Sequence, residues 1–198
     1  MESNINMCIL IAITIAIIIL IRQFISDYYW RKKPNHNFPI KYRGKVFWFS
    51  RSVAVTLFTF CKNKNGQLCI LANRRGTGTP DFQGYWNAPC GYIDFDENGE
   101  KACQRETFEE TGVFINTDNI IFDSVNTEPI DNKRQNVSLR YISKIEDKVT
   151  EDIKFDTSHS EKNEVSDVKW IPINELDNYE WAFNHKMIIN EIIKKINK

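Results

Sequence analysis

The feature that most constrains the fold is an acidic segment at residues 91–113, GYIDFDENGEKACQRETFEETGV, which we call the signature segment. Glu106, Glu109 and Glu110 are three and four residues apart, so a helix places Glu106 on the same face as the other two. Like charges in this arrangement repel by roughly a few tenths of a kcal/mol per pair. The segment therefore forms either a solvated acidic helix or a cation site, and the glycines that bound it favour the cation site.

The ends of this helix can also be predicted. Gly99 and Glu100 stand at its start, where an acidic residue suits the positive end of the helix dipole. Gly112 stands at its end, where glycine commonly adopts a left-handed conformation. The three carboxylates offer hard oxygen ligands, which suit Mg²⁺ or Mn²⁺ better than zinc.

The signature segment resembles the sequence signature of the Nudix hydrolases. That signature is Gly, five residues, Glu, seven residues, then Arg-Glu-U-x-Glu-Glu-x-Gly-U, where U is a bulky aliphatic residue. Gly91, Glu97 and the run from Arg105 to Val113 match it, with Thr107 at the first aliphatic position as the single departure. A buried threonine there needs a partner for its hydroxyl. The resemblance implies an α/β protein, a Nudix-type α/β/α sandwich with a mixed sheet, over roughly residues 50–198.

The resemblance also implies a metal site. Glu109 and Glu110 are then the core metal ligands, and Glu106 is either a further ligand or the general base. The backbone carbonyl of the residue before the first glycine joins the metal shell in this family, and that residue is Cys90. The cofactor implied is Mg²⁺, with Mn²⁺ as the alternative.

Two further residues enter the implied catalytic set, which is Glu106, Glu109, Arg105 and Glu164. Arg105 pairs with Glu97 and holds the loop on the helix. Glu164 occupies a loop position from which family members supply an extra ligand or base, and the alternative is an ordinary solvated carboxylate.

Other candidates near the site carry weaker signals. Four arginines are candidate phosphate ligands, although each alone is more typical of a surface charge or an ion pair: Arg74, Arg75, Arg134 and Arg140. Trp86 and Tyr92 flank the site and are candidates for stacking on a base, with core packing the better interpretation for Trp86.

The N-terminal part of the chain predicts a membrane anchor. Residues 5–21 carry no charge, and a helix extended to residue 25 is long enough to cross the hydrocarbon layer. Aromatic residues at 28–30 and basic residues at 31–33 follow, which places the N-terminus outside and the rest in the cytosol. A signal peptide lacks support because no basic n-region or small-residue cleavage site is present. The predicted organisation is a transmembrane anchor at 1–30, a juxtamembrane linker at 31–50 and a Nudix domain at 51–198.

Patterning within the predicted domain suggests its elements. Strands are predicted at 52–60, 68–72, 85–88, 120–125, 137–145 and 165–170, a helical turn at 173–176 and an amphipathic helix at 181–196. Asn65-Gly66 between the first two strands is a hairpin signal. Five cysteines without a close pair suit a reducing compartment, and Cys61 and Cys69 are placed to face each other across that hairpin as buried free thiols.

The predicted function is hydrolysis of a pyrophosphate bond in a nucleoside diphosphate linked to a second group. Pro129, sixteen residues after Val113, slightly favours ADP-ribose or nucleotide-sugar substrates, and nucleoside triphosphate sanitation stays open. A non-catalytic nucleotide-binding module is the alternative from another class. Positive and negative residues balance at 26 each, so nucleic acid is not expected as a partner.

Overall fold

The computed structural model describes residues 2–32, 38–49, 52–94, 96–128 and 136–196. Contacts divide the chain into an N-terminal unit up to Arg51 and a second unit that begins at Ser52. Pro129 and Arg134, both named above as candidates, lie outside the described residues.

The N-terminal unit contains one helix and one hairpin. Helix α1 covers Glu2–Lys32, and the apolar side chains between Leu10 and Ile25 that the structure describes are exposed. Within the described part of the chain, no helix is both apolar and long enough to pass through a bilayer. Transmembrane anchoring of residues 1–30 therefore stays a prediction.

A β-hairpin occupies part of the predicted linker. Strands β1, Phe38–Tyr42, and β2, Lys45–Phe49, pair antiparallel around Arg43 and Gly44, which both have positive φ. Two such residues form the tight turn whose twist matches paired strands. The prediction of a linker at 31–50 did not include this hairpin, because its alternation is short and contains Pro39.

The second unit is built on one mixed seven-stranded sheet. Its strands are β3 Val53–Lys62, β4 Leu68–Arg75, β5 Trp86–Asn87, β6 Cys90–Tyr92, β7 Ile121–Asn126, β8 Val137–Val149 and β9 Val165–Pro172. The main path is β5-β4-β3-β8-β7, with β6 paired to β3 and β9 paired to β4. Strands β3 and β8 are parallel and the other pairs antiparallel, as the mixed-sheet prediction requires.

Two helices cover the two faces of the sheet. Successive side chains of β3 point to opposite faces, so Leu57 packs with Ala102 and Cys103 of helix α2, Gly99–Thr111, while Phe58 packs on the other face. Helix α3, His185–Ile196, covers that other face with its buried isoleucines at 188, 189 and 192. The arrangement is the predicted α/β/α sandwich.

A split in the sheet positions the signature segment. Strand β3 pairs with β4 only near the hairpin, at Phe60–Lys62, and farther along it pairs with β6 instead. Strand β5 pairs with β4 across the same gap. The two short strands therefore fill the space between β3 and β4, and Cys90 and Gly91 lie against the inner face of α2.

Most predicted elements are confirmed, with one boundary wrong. The hairpin around Asn65-Gly66 forms, and Cys61 and Cys69 are register partners and buried free thiols. The terminal helix begins at His185 and not at residue 181, because Phe183 and Asn184 have positive φ and cannot belong to an α-helix. His185, to which the sequence assigned no role, is buried and its Nδ1 accepts a hydrogen bond from the Ala88 N–H.

Candidate active site

Side-chain and glycine caps fix both ends of helix α2. Asn98 precedes the helix, and its side chain accepts a hydrogen bond from the Lys101 N–H at 3.0 Å. Gly112 follows the helix with φ of 75°, and its N–H donates to the Phe108 carbonyl. The Gly112 cap was predicted. Asn98 was not, although asparagine is among the preferred N-cap residues and the sequence contained that signal.

Two glycines of the signature segment allow a neighbouring side chain to approach the backbone closely. A Cβ atom on Gly91 would overlap the Glu106 carboxylate, and one on Gly99 would overlap the Tyr141 hydroxyl. Neither glycine has a left-handed φ, so the requirement comes from the space that the neighbour occupies. The first glycine of the signature therefore allows the Glu106 carboxylate to lie directly on the backbone of β6.

Arg105 connects the loop, the strand and the acidic cluster. Its guanidinium donates to both Glu97 oxygens at 2.5 and 3.1 Å, and to the Tyr92 carbonyl at 2.9 Å. Its Nη1 also donates to Glu106 at 2.8 Å and to Glu109 at 3.1 Å. The predicted Arg105–Glu97 pair is confirmed, and the hydrogen bond to Glu97 lowers the pKa of that carboxyl. Arg105 therefore fixes the orientation of Glu106 and Glu109.

Backbone groups of β6 point toward α2. The Leu57 N–H donates to the Pro89 carbonyl and the Ile93 N–H donates to the Val53 carbonyl, so bonds to β3 fall on alternate residues. Cys90 lies between them and directs its N–H away from β3, to Glu110 Oε2 at 3.1 Å. The same alternation turns the Cys90 carbonyl away from β3, so the pairing with β3 leaves it available as a ligand.

Negative charge is concentrated around Glu106 and Glu110. Burial raises the pKa of Glu106 to about 7 against the opposing effect of Arg105, and Glu109 and Glu164 raise it further. Burial raises the pKa of Glu110 well above its usual value, and Glu106 and Glu164 add to that rise. Glu110 is 3% exposed. Ionised carboxylates so buried require a compensating cation.

The residues present fit a divalent cation in their chemistry. Glu106, Glu110 and the Cys90 carbonyl offer hard oxygen donors. Burial raises the pKa of both glutamates although Arg105 opposes the rise at Glu106 and Arg75 opposes it at Glu110. Glu109 is more exposed, with 40% of its side chain accessible, and is bound to Arg105. Among the residues that the structure describes, no three His, Cys, Asp or Glu side chains are placed to hold a metal ion. The ligand set therefore stays a prediction.

Thr107, the one departure from the signature, is fully buried. Among the residues that the structure describes, its hydroxyl has no hydrogen-bond partner, whereas its carbonyl accepts from Thr111 Oγ1 at 2.5 Å. The described residues therefore do not supply the partner that a buried threonine needs. The side chain packs as the aliphatic residue of the signature would, at the cost of an unsatisfied polar atom.

The contacts of the other candidates show which of them border the signature glutamates. Arg75 is paired with Asp81, lies over the Phe183 ring at 4.8 Å and opposes the rise in the pKa of Glu110, so it borders the site. Arg74 Nε donates to the Gly84 carbonyl. Trp86 packs in the core against Tyr179, as preferred above, whereas Tyr92 is exposed.

Arg140, the last candidate, and His159 lie in different surroundings. Arg140 lies on β8 and is half-buried. Burial raises the pKa of Asp123, but Lys195, Ser124 and Arg140 together lower it below its usual value. His159, to which no role was assigned, stacks on Phe108 of α2 with ring centroids 4.8 Å apart. The sequence gives no indication of this stacking, because it depends on how the loop of His159 folds back onto α2.

Comparison with known proteins gives one family. The family model described as NUDIX domain matches residues 50–192. A comparison with curated protein sequences gives no match.

Similar folds occur among solved structures. The NUDIX domain of Shewanella oneidensis NrtR complexed with ADP ribose is 23% identical with a TM-score of 0.62, covering 75% of this chain and 90% of that one. NrtR complexed with a 27mer DNA is 24% identical with a TM-score of 0.57, covering 73% and 61%. A C. elegans Ap4A hydrolase binary complex is 15% identical with a TM-score of 0.55, covering 74% and 98%. At these identities the likeness concerns the fold alone.

We expect Thr107→Val to stabilise the protein by about 1 kcal/mol, because it removes a buried hydroxyl that has no partner and keeps the shape of the side chain. Urea unfolding measures the change. The matched control is Thr111→Val, which should destabilise, since the Thr111 hydroxyl donates to the Thr107 carbonyl and accepts from the Val113 N–H. A less stable Thr107→Val variant would contradict the assignment.

We expect Glu110→Gln to raise the melting temperature of the protein in EDTA at about pH 8. The folded state raises the pKa of Glu110, so its contribution to stability is present at low pH and is lost as the pH rises through that pKa. Glutamine keeps an acceptor for the Cys90 N–H. The gain in melting temperature should vanish when the pH is below the ordinary glutamate pKa of 4.5.

The same variant tests cation binding. Mg²⁺ should raise the melting temperature of the unsubstituted protein at about pH 8 and raise that of Glu110→Gln much less. Glu146→Gln, an exposed carboxylate paired with Lys144, is the control and should behave like the unsubstituted protein. An equal response of Glu110→Gln to Mg²⁺ would contradict a ligand role for Glu110.

Proposed function

The chain belongs to the Nudix family, and on that premise we propose that it hydrolyses a pyrophosphate bond in a nucleoside diphosphate linked to a second group. The observation that carries the proposal is the buried Glu110 carboxylate on the Cys90 N–H, with the Glu106 carboxylate against the neighbouring Gly91. A substrate with two phosphates adds negative charge to a site that is already acidic. Such a substrate binds there only with a divalent cation, for which Mg²⁺ is proposed and Mn²⁺ is the alternative.

Each residue then has a defined task. Mg²⁺, when bound, polarises the phosphorus and lowers the pKa of a water molecule. Glu109, Glu110 and the Cys90 carbonyl are the proposed ligands. Either Glu106 or Glu164 accepts the proton of the attacking water. Arg105 orients Glu106 and Glu109 by direct hydrogen bonds.

The proposed substrate class is an ADP-ribose or nucleotide-sugar type. The fold is shared with an NrtR domain complexed with ADP ribose, which supports this class. The fold is also shared with an Ap4A hydrolase, so dinucleoside polyphosphates belong in any test. Sanitation of nucleoside triphosphates is the alternative among enzymes.

A nucleotide-binding module without catalysis is the alternative from another class. NrtR has been crystallised both with ADP ribose and with a 27mer DNA, so this fold occurs in a protein that binds DNA. All three signature glutamates are present in this chain, which favours the enzyme. The expectation that nucleic acid is not a partner rests on the balanced charge alone and stays a prediction.

We also propose that the chain is anchored in a membrane with its catalytic domain in the cytosol. The support is the uncharged run at residues 5–21, the helical state of Glu2–Lys32 and the basic residues at 31–33. Hydrolysis would then occur near the cytosolic face of that membrane.

The activity is tested with the full chain in detergent, Mg²⁺ and a panel of ADP-ribose, NADH, CoA, dinucleoside polyphosphates and modified deoxynucleoside triphosphates. We expect Mg²⁺-dependent turnover of a nucleoside diphosphate derivative. Glu109→Gln should lower kcat by more than the roughly 10–100-fold typical of lost outer-shell contacts, while Glu146→Gln leaves it unchanged. Tight binding without turnover would favour the binding module, and undiminished turnover in Glu109→Gln would refute the ligand assignment.

The anchor is tested by washing lysed membranes with high salt and alkaline carbonate. We expect the full chain to stay with the membranes and a chain without residues 1–30 to be released. Recovery of the full chain in the wash would refute anchoring.

A further inference from the structure

The segment that carries Glu164 lies along helix α2 and is attached at its first end. The Asp156 N–H donates to the Thr111 carbonyl at 3.0 Å, and His159 stacks on Phe108. A Cβ atom on Gly112 would lie 2.5 Å from the Asp156 nitrogen. Gly112 therefore both ends the helix and leaves room for residues 155–164.

The second end of this segment is held by two glycines outside the signature. The Gly76 N–H donates to the Glu164 carbonyl at 2.6 Å, and the Gly78 N–H donates to the Asn163 carbonyl at 2.7 Å. A Cβ atom on Gly76 would overlap the Asn163 carbonyl, and one on Gly78 would lie 2.5 Å from the Lys162 carbonyl oxygen. The atoms that such a Cβ would meet are backbone atoms, which cannot relieve the overlap by rotating as a flexible side chain does.

Close approach is the reason for glycine at both positions. Neither Gly76 nor Gly78 has a left-handed φ, so alanine is compatible with both backbone conformations. Asn163 itself has φ of 61°, which is uncommon outside glycine and shows that the opposing backbone is also held in a specific shape. A side chain at Gly76 or Gly78 would force residues 162–164 to move.

The loop that contains the two glycines is closed by its own hydrogen bonds. Thr79 Oγ1 donates to the Gly76 carbonyl at 2.8 Å, and Gln83 Nε2 donates to the Thr79 carbonyl at 2.8 Å. Arg75 adds an ion pair with Asp81 at 2.7 Å and a bond to the Asp81 carbonyl. These contacts make the loop a firm support for the backbone of Glu164.

We infer that Gly76 and Gly78 are positioning residues that hold the backbone of Glu164 beside the part of helix α2 that carries Glu106 and Glu110. The inference rests on the proposed function, in which Glu164 acts at the metal site. Thr111 and Phe108, which hold the segment of Glu164, lie within two residues of Glu110 on helix α2. The Glu161 N–H donates to Glu164 Oε2 at 3.2 Å and restricts the direction of that side chain.

A double-mutant cycle in the full chain tests the inference. We expect Gly76→Ala and Gly78→Ala each to change the Mn²⁺ dissociation constant, measured by electron paramagnetic resonance, and the kcat with the best panel substrate in the same direction as Glu164→Gln. If the glycines act through Glu164, combining either with Glu164→Gln adds no further fold-change. Additive effects, or a Glu164→Gln variant identical to the unsubstituted protein in both measurements, would overturn the inference.

Gly66→Ala is the control for a general effect of glycine replacement. Gly66 lies in the hairpin turn with φ of 77° and has open space around it. We expect it to lower stability without changing kcat or the Mn²⁺ dissociation constant. Because Mn²⁺ binding is measured without substrate, loss of the proposed hydrolysis and loss of the positioning role give different results.

Hydrogen exchange of the metal-free protein gives a readout that does not need activity, and its first part uses the unsubstituted chain alone. In the unsubstituted chain the Gly76 and Gly78 amides should exchange slowly, because both donate hydrogen bonds to the Glu164 segment. In Gly78→Ala the Glu164 amide, which donates to the Glu161 carbonyl, should exchange faster. Rapid exchange at both glycine amides in the unsubstituted chain would overturn the inference.

Discussion

The hydrogen bond from the Cys90 amide to the buried carboxylate of Glu110 joins the sheet to helix α2 at the centre of the site. It requires that β6 be paired to β3 on one edge only, so that its other edge points at the helix. The split between β3 and β4 provides that arrangement, and β5 and β6 fill it. The catalytic proposal depends on this geometry, because it brings the Glu106 and Glu110 carboxylates against the backbone of Cys90 and Gly91.

Glycine at four separate positions allows neighbouring segments of the site to approach each other closely. Gly91 admits the Glu106 carboxylate, Gly112 admits Asp156, and Gly76 and Gly78 admit the backbone that leads to Glu164. Only Gly112 among these also needs its left-handed φ. The signature pattern contains the first two, whereas the last two belong to a loop with no recognisable pattern. Close packing of backbone against backbone thus extends the site beyond the residues that the signature identifies.

Prediction from the sequence succeeded where local rules decide the outcome. Asn65-Gly66 predicted a hairpin because that dipeptide suits positive φ, and Gly112 predicted a helix end for the same reason. The terminal helix was placed four residues too early, because Phe183 and Asn184 adopt positive φ in a loop that packs on Arg75 and Phe82. Propensity contains no information about such a contact. The hairpin at residues 38–49 was missed because short apolar alternation beside a proline is a weak signal.

The sequence by itself determined the family, the helix that carries Glu106, Glu109 and Glu110, and the pairing of Arg105 with Glu97. These features depend on residue identities at fixed spacing within one element and its adjoining loop. Tertiary structure decided which carboxylates are buried, that the Thr107 hydroxyl has no partner within the described part of the chain, and that the segment of Glu164 packs on helix α2. Those outcomes depend on contacts between segments far apart in the chain, and neither helical periodicity nor composition specifies such contacts.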